Sequence, residues 1–243
     1  MIKSTTLLFT LLLSFSAMAG KWIDISLGVG VYHYDNLRPD NQKTFLDKDP
    51  VIEPIPTANI RVGPLFLNRD GGGLALLFFK HLKLLGLVLY EGKPYRADGM
   101  EERKKSFQLG GGLRIYNLEA LYYQDVQGRS HGRVLKFTFA PEYKISGYTF
   151  SPRPYVQFYC TKYVDYYFGV REDEVDLTKG RYAYHGARAI NYGIMLRNSW
   201  DVGRMKYVLT AGMKWYGSRV YNSPTVVRKN ESRILLGFMY KFY

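Results

Sequence analysis

A single cysteine, Cys160, leaves this chain without an internal disulfide, so its stability in an oxidising compartment must come from hydrogen-bonded sheet and packing. Nothing adjacent in sequence would depress the pKa of that thiol, which argues against a reactive cysteine. Acidic residues are also scarce: 21 Asp and Glu stand against 34 Lys and Arg, for a formal charge of +13. In a cytosolic protein that balance would suggest nucleic acid. In an exported one it points to lipopolysaccharide phosphates, anionic lipids or the acidic wall polymer, with no nucleic-acid partner. Long hydrophobic runs suited to a membrane helix are missing. Leu7 to Phe15 is too short, and Leu74 to Tyr90 carries Lys80, His81 and Lys83 at its middle, where each charge would cost about 2.5–3.5 kcal/mol.

Catalytic and cofactor motifs are lacking as well. The glycine triplets at 71–73 and 110–112 have neither the Lys-Ser/Thr ending nor the following helix of a phosphate loop, so they read as turn and strand glycines and no cofactor is expected. The four histidines, His33, His81, His131 and His185, are dispersed. Ser130 and His131 are sequence neighbours and would point to opposite faces of a strand. His33 and Asp35 share a face, and would have to meet His185 at a barrel rim to form a catalytic set. The acidic group Glu172, Asp173, Glu174 and Asp176 lacks calcium-loop spacing and reads as a solvated loop. No enzyme is expected.

What is present is an export signal followed by alternation. Lys3, the apolar run Leu7 to Phe15 and the small-residue pattern Ala17-Met18-Ala19 mark residues 1–19 as a cleaved signal peptide. Residues 20–243 then form one domain. From Trp22 to Tyr34, Ile23, Ile25, Leu27, Val29 and Val31 alternate with Asp24, Ser26, Gly28 and Gly30, which is the period of a strand with one apolar and one polar face. The end of the chain repeats it: Ile234, Leu236, Phe238, Tyr240 and Phe242 share a face, as a barrel-closing strand and its assembly signal should. Only Phe242 is in register there, so its loss should matter more than deletion of Tyr243.

The spacing predicts strands near 22–34, 57–67, 74–90, 107–115, 118–126, 134–143, 149–168, 182–198, 205–215 and 233–243. Long connections (35–53, 91–105, 127–132, 169–181, 217–231) alternate with short ones (68–73, 116–118, 145–148, 199–204), as extracellular loops and periplasmic turns do. The fold is therefore an all-β, antiparallel transmembrane outer-membrane β-barrel of ten strands. A bend at Lys80-His81 would give twelve if a second segment also splits. Trp22, Tyr116, Tyr148, Trp200, Tyr240 and Phe242 fall at the periplasmic strand ends, and Tyr90, Tyr122, Tyr167, Tyr182, Trp215 and Tyr216 near the outer ends, as two interface girdles. Arg61, Lys83, Arg114, Lys136, Arg153, Arg197, Lys206 and Lys214 are expected inward, against Asp24, Glu119 and Glu142.

Tyr95 to Arg103, followed by the glycine-rich strand from Phe107, resembles the MipA/OmpV family, named for an MltA-interacting outer-membrane protein. The family's Gly-Met-x-x-Arg pattern falls on Gly99, Met100 and Arg103. Further matches are Asp125 to Gly132 (Asp-Val-x-Gly-x-Ser-x-Gly), Tyr167-Phe168-Gly169-Val170 with Glu172 and Glu174, Ser223-Pro224 with Val226-Val227, and Tyr240-Lys241-Phe242. Two departures are that Tyr243 follows the usual terminal Phe, and that Lys241 stands where Arg is frequent. The resemblance implies an outer-membrane scaffold joining a murein hydrolase to a murein synthase, or a porin-like or adhesive protein. The expected function is a non-enzymatic scaffold for peptidoglycan synthesis and remodelling; the alternative is a narrow anion-favouring channel or surface adhesin. Outer-membrane lipid, lipopolysaccharide and the barrel-assembly machinery are the remaining expected partners. Arg69, Asp70, Trp200, Asp201 and Arg204 are the candidate periplasmic docking residues. Arg103, Lys104 and Lys105 are the candidate lipopolysaccharide contacts.

Overall fold

Alternating apolar and polar residues make strands, and strands with one lipid-facing side must close on themselves, because hydrocarbon leaves no partner for an open edge. The computed structural model describes residues 23–38, 40–41, 50–68, 71–79 and 81–242. The signal segment, Trp22, Arg69, Asp70, Lys80 and Tyr243 lie outside the described residues. The strands are β1 (Ile23–Tyr34), β2 (Val51–Val62), β3 (Leu65–Asn68), β4 (Gly71–Phe79), β5 (Leu82–Glu91), β6 (Ser106–Ile115), β7 (Leu118–Asp125), β8 (Arg133–Phe139), β9 (Tyr143–Ile145), β10 (Tyr148–Tyr159), β11 (Ala189–Val202), β12 (Met205–Trp215) and β13 (Asn230–Lys241). All pair antiparallel with their neighbours, and β13 returns to β1 to close the sheet. Among the described residues no helix is long and apolar enough to cross a membrane.

The barrel has twelve crossings, not the ten of the main expectation. Both β8 and β9 pair with β10, at different heights, and so make one interrupted crossing. The two extra crossings come from the two places where the sequence hides a turn. Gly63, with φ of 57°, and Pro64 reverse the chain between β2 and β3. The apolar run from Leu74 reverses after Phe79, so that Leu76 faces Leu84 and Leu74 faces Gly86 across a hairpin. A further correction follows for residues 68–73. With one more reversal before it, the β3–β4 connection lies on the side of the long loops, not with the short turns.

The wall is inverted relative to a water-soluble core. Leu27, Val29, Val31, Leu65, Leu67, Leu74, Leu76, Leu109, Leu113, Phe137, Phe139, Ile190, Leu236 and Phe238 are exposed on the outside, whereas Ser26, Gln108, Gln157, Asn191 and Lys214 are buried. An apolar exterior with a polar interior is the pattern of a lipid-embedded barrel. At the inner end, where β1 starts and β13 finishes, Tyr148 lies 5.2 Å from Trp200 and Tyr240 lies 5.1 Å from Phe242. At the other end Tyr90 meets Phe107 and Tyr192 meets Trp215. Tyr167 and Tyr216, expected in the outer girdle, are instead buried in the mouth of the barrel.

The closing seam runs from Ser26↔Lys241 to Tyr34↔Arg233, and the Phe242 N–H donates to Ile25 O at 2.8 Å. Ile234, Leu236, Phe238, Tyr240 and Phe242 all face outward along it, as their spacing requires. Phe242→Ala is expected to lower the outer-membrane yield of heat-modifiable barrel several-fold, because it removes the ring that ends this face. Unchanged yield would assign the assembly signal elsewhere.

One part of the wall is thin. Asp35 N–H bonds Ser232 and Phe242 bonds Ile25, so odd residues of β1 bond β13 and even ones bond β2. Through the β1–β2 register, odd residues of β2 bond β1, and even ones face β3. That strand reaches only to Asn59↔Asn68. Among the described residues, Val51 to Ala58 therefore pair on one side, and the open edge carries Pro54 and Pro56, whose missing N–H groups both point to it.

Candidate functional site

The outer mouth holds the hydrophobic core. After β10 the chain does not continue as a strand, as the sequence suggested, but turns into helix α1 (Thr161–Phe168). Tyr163, Val164, Tyr167 and Phe168 are its buried residues, the spacing of one helical face. They pack with Leu37, Tyr123, Val134, Tyr159, Ala189, Tyr216, Val226 and with Val220 of the short helix α2 (Ser218–Tyr221). The residues expected to start the next strand, 182–188, form loop, and β11 begins at Ala189.

Arg38 pins this cap. Its guanidinium lies 4.5 Å over Tyr95 and 4.7 Å over Phe168, and Nη2 donates to Tyr167 O at 2.6 Å. Burial pulls its pKa down to about 10, so it remains charged at neutral pH. Arg103 makes the second tie, donating to Glu174 at 2.6 Å. Burial alone would raise the Glu174 carboxyl, but Arg103 and the backbone N–H groups of Arg171 and Glu101 outweigh it and hold the group below the usual range. Asp125 organises a third loop. It accepts from Ser130 Oγ at 2.9 Å and from the backbone N–H of Gln127, Ser130 and His131. Ser223 Oγ donates to Phe168 O at 2.6 Å.

Below the cap lies a buried polar floor. Glu231 accepts from Lys93 and from Tyr216 OH, each at 2.5 Å, and from Arg233 at 3.1 Å. Lys214 donates to Tyr159 OH at 2.6 Å and to Gln157 at 3.0 Å. The lumen contains a chamber of about 910 Å³ that reaches up to Arg38, Lys93 and Glu231 and is lined lower down by Arg61, Arg114, Lys136, Arg153 and Arg197 with Asp24, Glu119 and Glu142. Arg114 pairs with Glu119, and Arg153 with Glu142 at 3.4 Å. Lys and Arg outnumber Asp and Glu around its wall, as the inward pattern predicted. Lys83 and Lys206 do not line it.

The other predicted site residues fare differently. Arg103, expected as a lipopolysaccharide contact, is only 1% exposed and pairs with Glu174, whereas Lys104 and Lys105 are exposed. At the inner rim, Asp201 pairs with Lys241 at 2.8 Å, Arg204 donates to Tyr240 OH at 3.1 Å, and Trp200 is half-exposed against Tyr148. Arg69 and Asp70, the other two expected docking residues, lie outside the described residues. His33, Asp35 and His185 are not assembled: Asp35 serves Ser232, and His185 faces Glu172. Glu174 turns to Arg103 while Asp176 turns to Thr178, and among the described residues no cluster suited to a metal ion is found. Arg38 and Glu231 were missed from sequence; an arginine four residues beyond a strand gives no sign that it will be stacked between rings.

The cap is also where the recognised motifs meet. Arg103, Asp125, Ser130, Phe168, Glu174, Ser223 and Val226 all take part in the ties and packing just described. A family model described as MltA-interacting protein MipA matches residues 18–242. The chain is 25% identical over 241 residues to the 24 kDa outer membrane protein of Pasteurella multocida, covering 89% of this chain and 90% of that one. It is 24% identical over 180 residues to outer membrane protein Omp26La of Vibrio anguillarum, covering 68% and 69%. Among solved structures, OccAB3 of Acinetobacter baumannii aligns at 13% identity with a TM-score of 0.38, over 93% of this chain and 66% of that one, so the chain spans just under two thirds of that protein's length.

Proposed function

Given that this chain belongs to the MipA family and resides in the outer membrane, we propose that it is a non-enzymatic docking platform for murein-remodelling enzymes rather than an open pore. The observation that carries this reading is the packing of Arg38, α1 and the Glu231 network within the outer mouth, which narrows the path that a solute would take, and several of the stretches that mark the family take part in that packing. A murein enzyme approaches from the periplasm, where the barrel offers its short turns and the rim residues Trp200, Asp201 and Arg204. Such a surface is small, so the contact is weak or transient.

The chamber's excess of basic side chains favours a second reading, a narrow anion-preferring channel. Planar-bilayer recordings separate the two: the purified barrel is expected to give no stable conductance, and steady anion-selective steps would reverse the ranking. For the docking site, Asp201→Ser with Arg204→Ser is expected to abolish capture of murein hydrolase and synthase while heat-modifiable migration stays normal. Retained capture, combined with loss on shortening 92–105 or 216–229, would place the function on the outward side.

A further inference from the structure

Independently of the docking reading, the outward face carries a second pocket, outside the lumen, of about 270 Å³. Its size lies just under the ~300–1,000 Å³ of ordinary small-molecule sites, which suits a small anion or a single headgroup. Three segments build it: Arg129, Ser130 and His131 from the β7–β8 loop, Lys162, Asp165 and Tyr166 from α1, and Arg171 with His185 from the long loop that follows, with Arg103 at the base. Four of these are permanent cations and two are imidazoles. Asp165 is the one carboxylate in the wall, and its Oδ1 is occupied by the Gly186 N–H at 2.7 Å.

The walls are fixed in advance. Arg129 donates to Lys105 O, Arg171 pairs with Glu101, and Tyr166 OH accepts from the Lys104 N–H at 3.1 Å. His131 is held at a φ of 48° by the Asp125 clamp. Two donors remain uncommitted. Arg103 uses its two terminal nitrogens on Glu101 O and Glu174, but its buried Nε has no hydrogen-bond partner among the described residues. The exposed Lys162 ammonium makes no ion pair or hydrogen bond among the described residues.

Three guanidinium groups and an ammonium lining one small concavity match the several terminal oxygens of a phosphoryl group better than the two of a carboxylate. We propose that this pocket binds a phosphate monoester or phosphate ion at the cell surface. The same chemistry is offered by free phosphate and by the phosphates of a membrane glycolipid.

The test uses the full barrel, refolded free of lipopolysaccharide, titrated with inorganic phosphate in one arm and with lipopolysaccharide or its dephosphorylated form in the other. Saturable binding is expected in at least one arm, weakened tenfold or more by Arg129→Glu with Lys162→Glu and unchanged by Lys144→Glu, a charge reversal at the inner rim. Loss confined to the phosphate arm would identify a soluble ligand. Loss confined to intact lipopolysaccharide would identify a lipid-borne one. Because Arg129 contacts Lys105, Lys162→Ala alone serves as the variant with no folding role and should weaken binding severalfold. Absence of binding in both arms, or binding indifferent to both pocket variants, overturns the proposal.

Discussion

Glu231→Gln should destabilise the barrel by about 3–5 kcal/mol, the cost of removing one partner from a buried charge network. Glu231 is 4% exposed and is the acceptor shared by Lys93, Arg233 and Tyr216. Without its charge, Lys93 and Arg233 would face each other and the neighbouring Lys214, with Glu91 as the acidic group still acting on Lys214. Burial already lowers the Lys93 pKa, and Glu231 is the main group opposing that. Urea unfolding followed by gel migration measures the loss, and the 92–105 loop should become accessible to protease at the same time. Tyr216→Phe removes a single hydrogen bond to the same carboxylate and should cost only about 1 kcal/mol. Equal, small losses for both variants would mean that the network does not hold the cap.

Gly28→Val should prevent closure almost completely. A Cβ placed on Gly28 would lie 1.8 Å from Phe238 O, a backbone atom of the partner strand across the β1–β13 seam, so relief requires the strands to separate. The expected penalty exceeds the ~1–3 kcal/mol of ordinary overpacking, in which a side chain can yield. Gly86→Ala is the matched control: its Cβ would come no closer than 3.9 Å to the nearest atom, Leu74 Cβ. Folded-barrel yield in outer-membrane fractions distinguishes them. Similar yields would show the seam register to be wrong.

These two cases also mark what the sequence could disclose. The β1 and β13 faces were legible because Leu27, Val29 and Val31, like Leu236 and Phe238, alternate with small or polar residues over a full crossing. The β4–β5 hairpin was legible only as the alternative bend at Lys80-His81, since the run from Leu74 offers no Gly, Pro or Asn at the turn. Pro54 and Pro56 lie ahead of the strand expected from Thr57, yet stand in β2, where the side they leave without donors has no neighbour among the described residues. α1 was hidden by aromatics that satisfy the strand period and the helix period equally over a few residues. At the site, the inward charges followed from parity alone. The fate of Arg103 did not, because it depends on Glu174, brought to it only by the folding of two separate loops.

The open half of β2 has a consequence for how the barrel behaves among its own kind. A strand from a neighbouring copy, or from an incompletely assembled chain, that aligned itself with this edge would find carbonyl acceptors at Ile52, Pro54, Pro56 and Ala58 but amide donors only at Ile52 and Ala58. The two middle rungs of the four would each be half made. The thinnest stretch of the wall is thereby the one least able to recruit foreign sheet, which keeps crowded barrels from zipping together at the place they would otherwise begin.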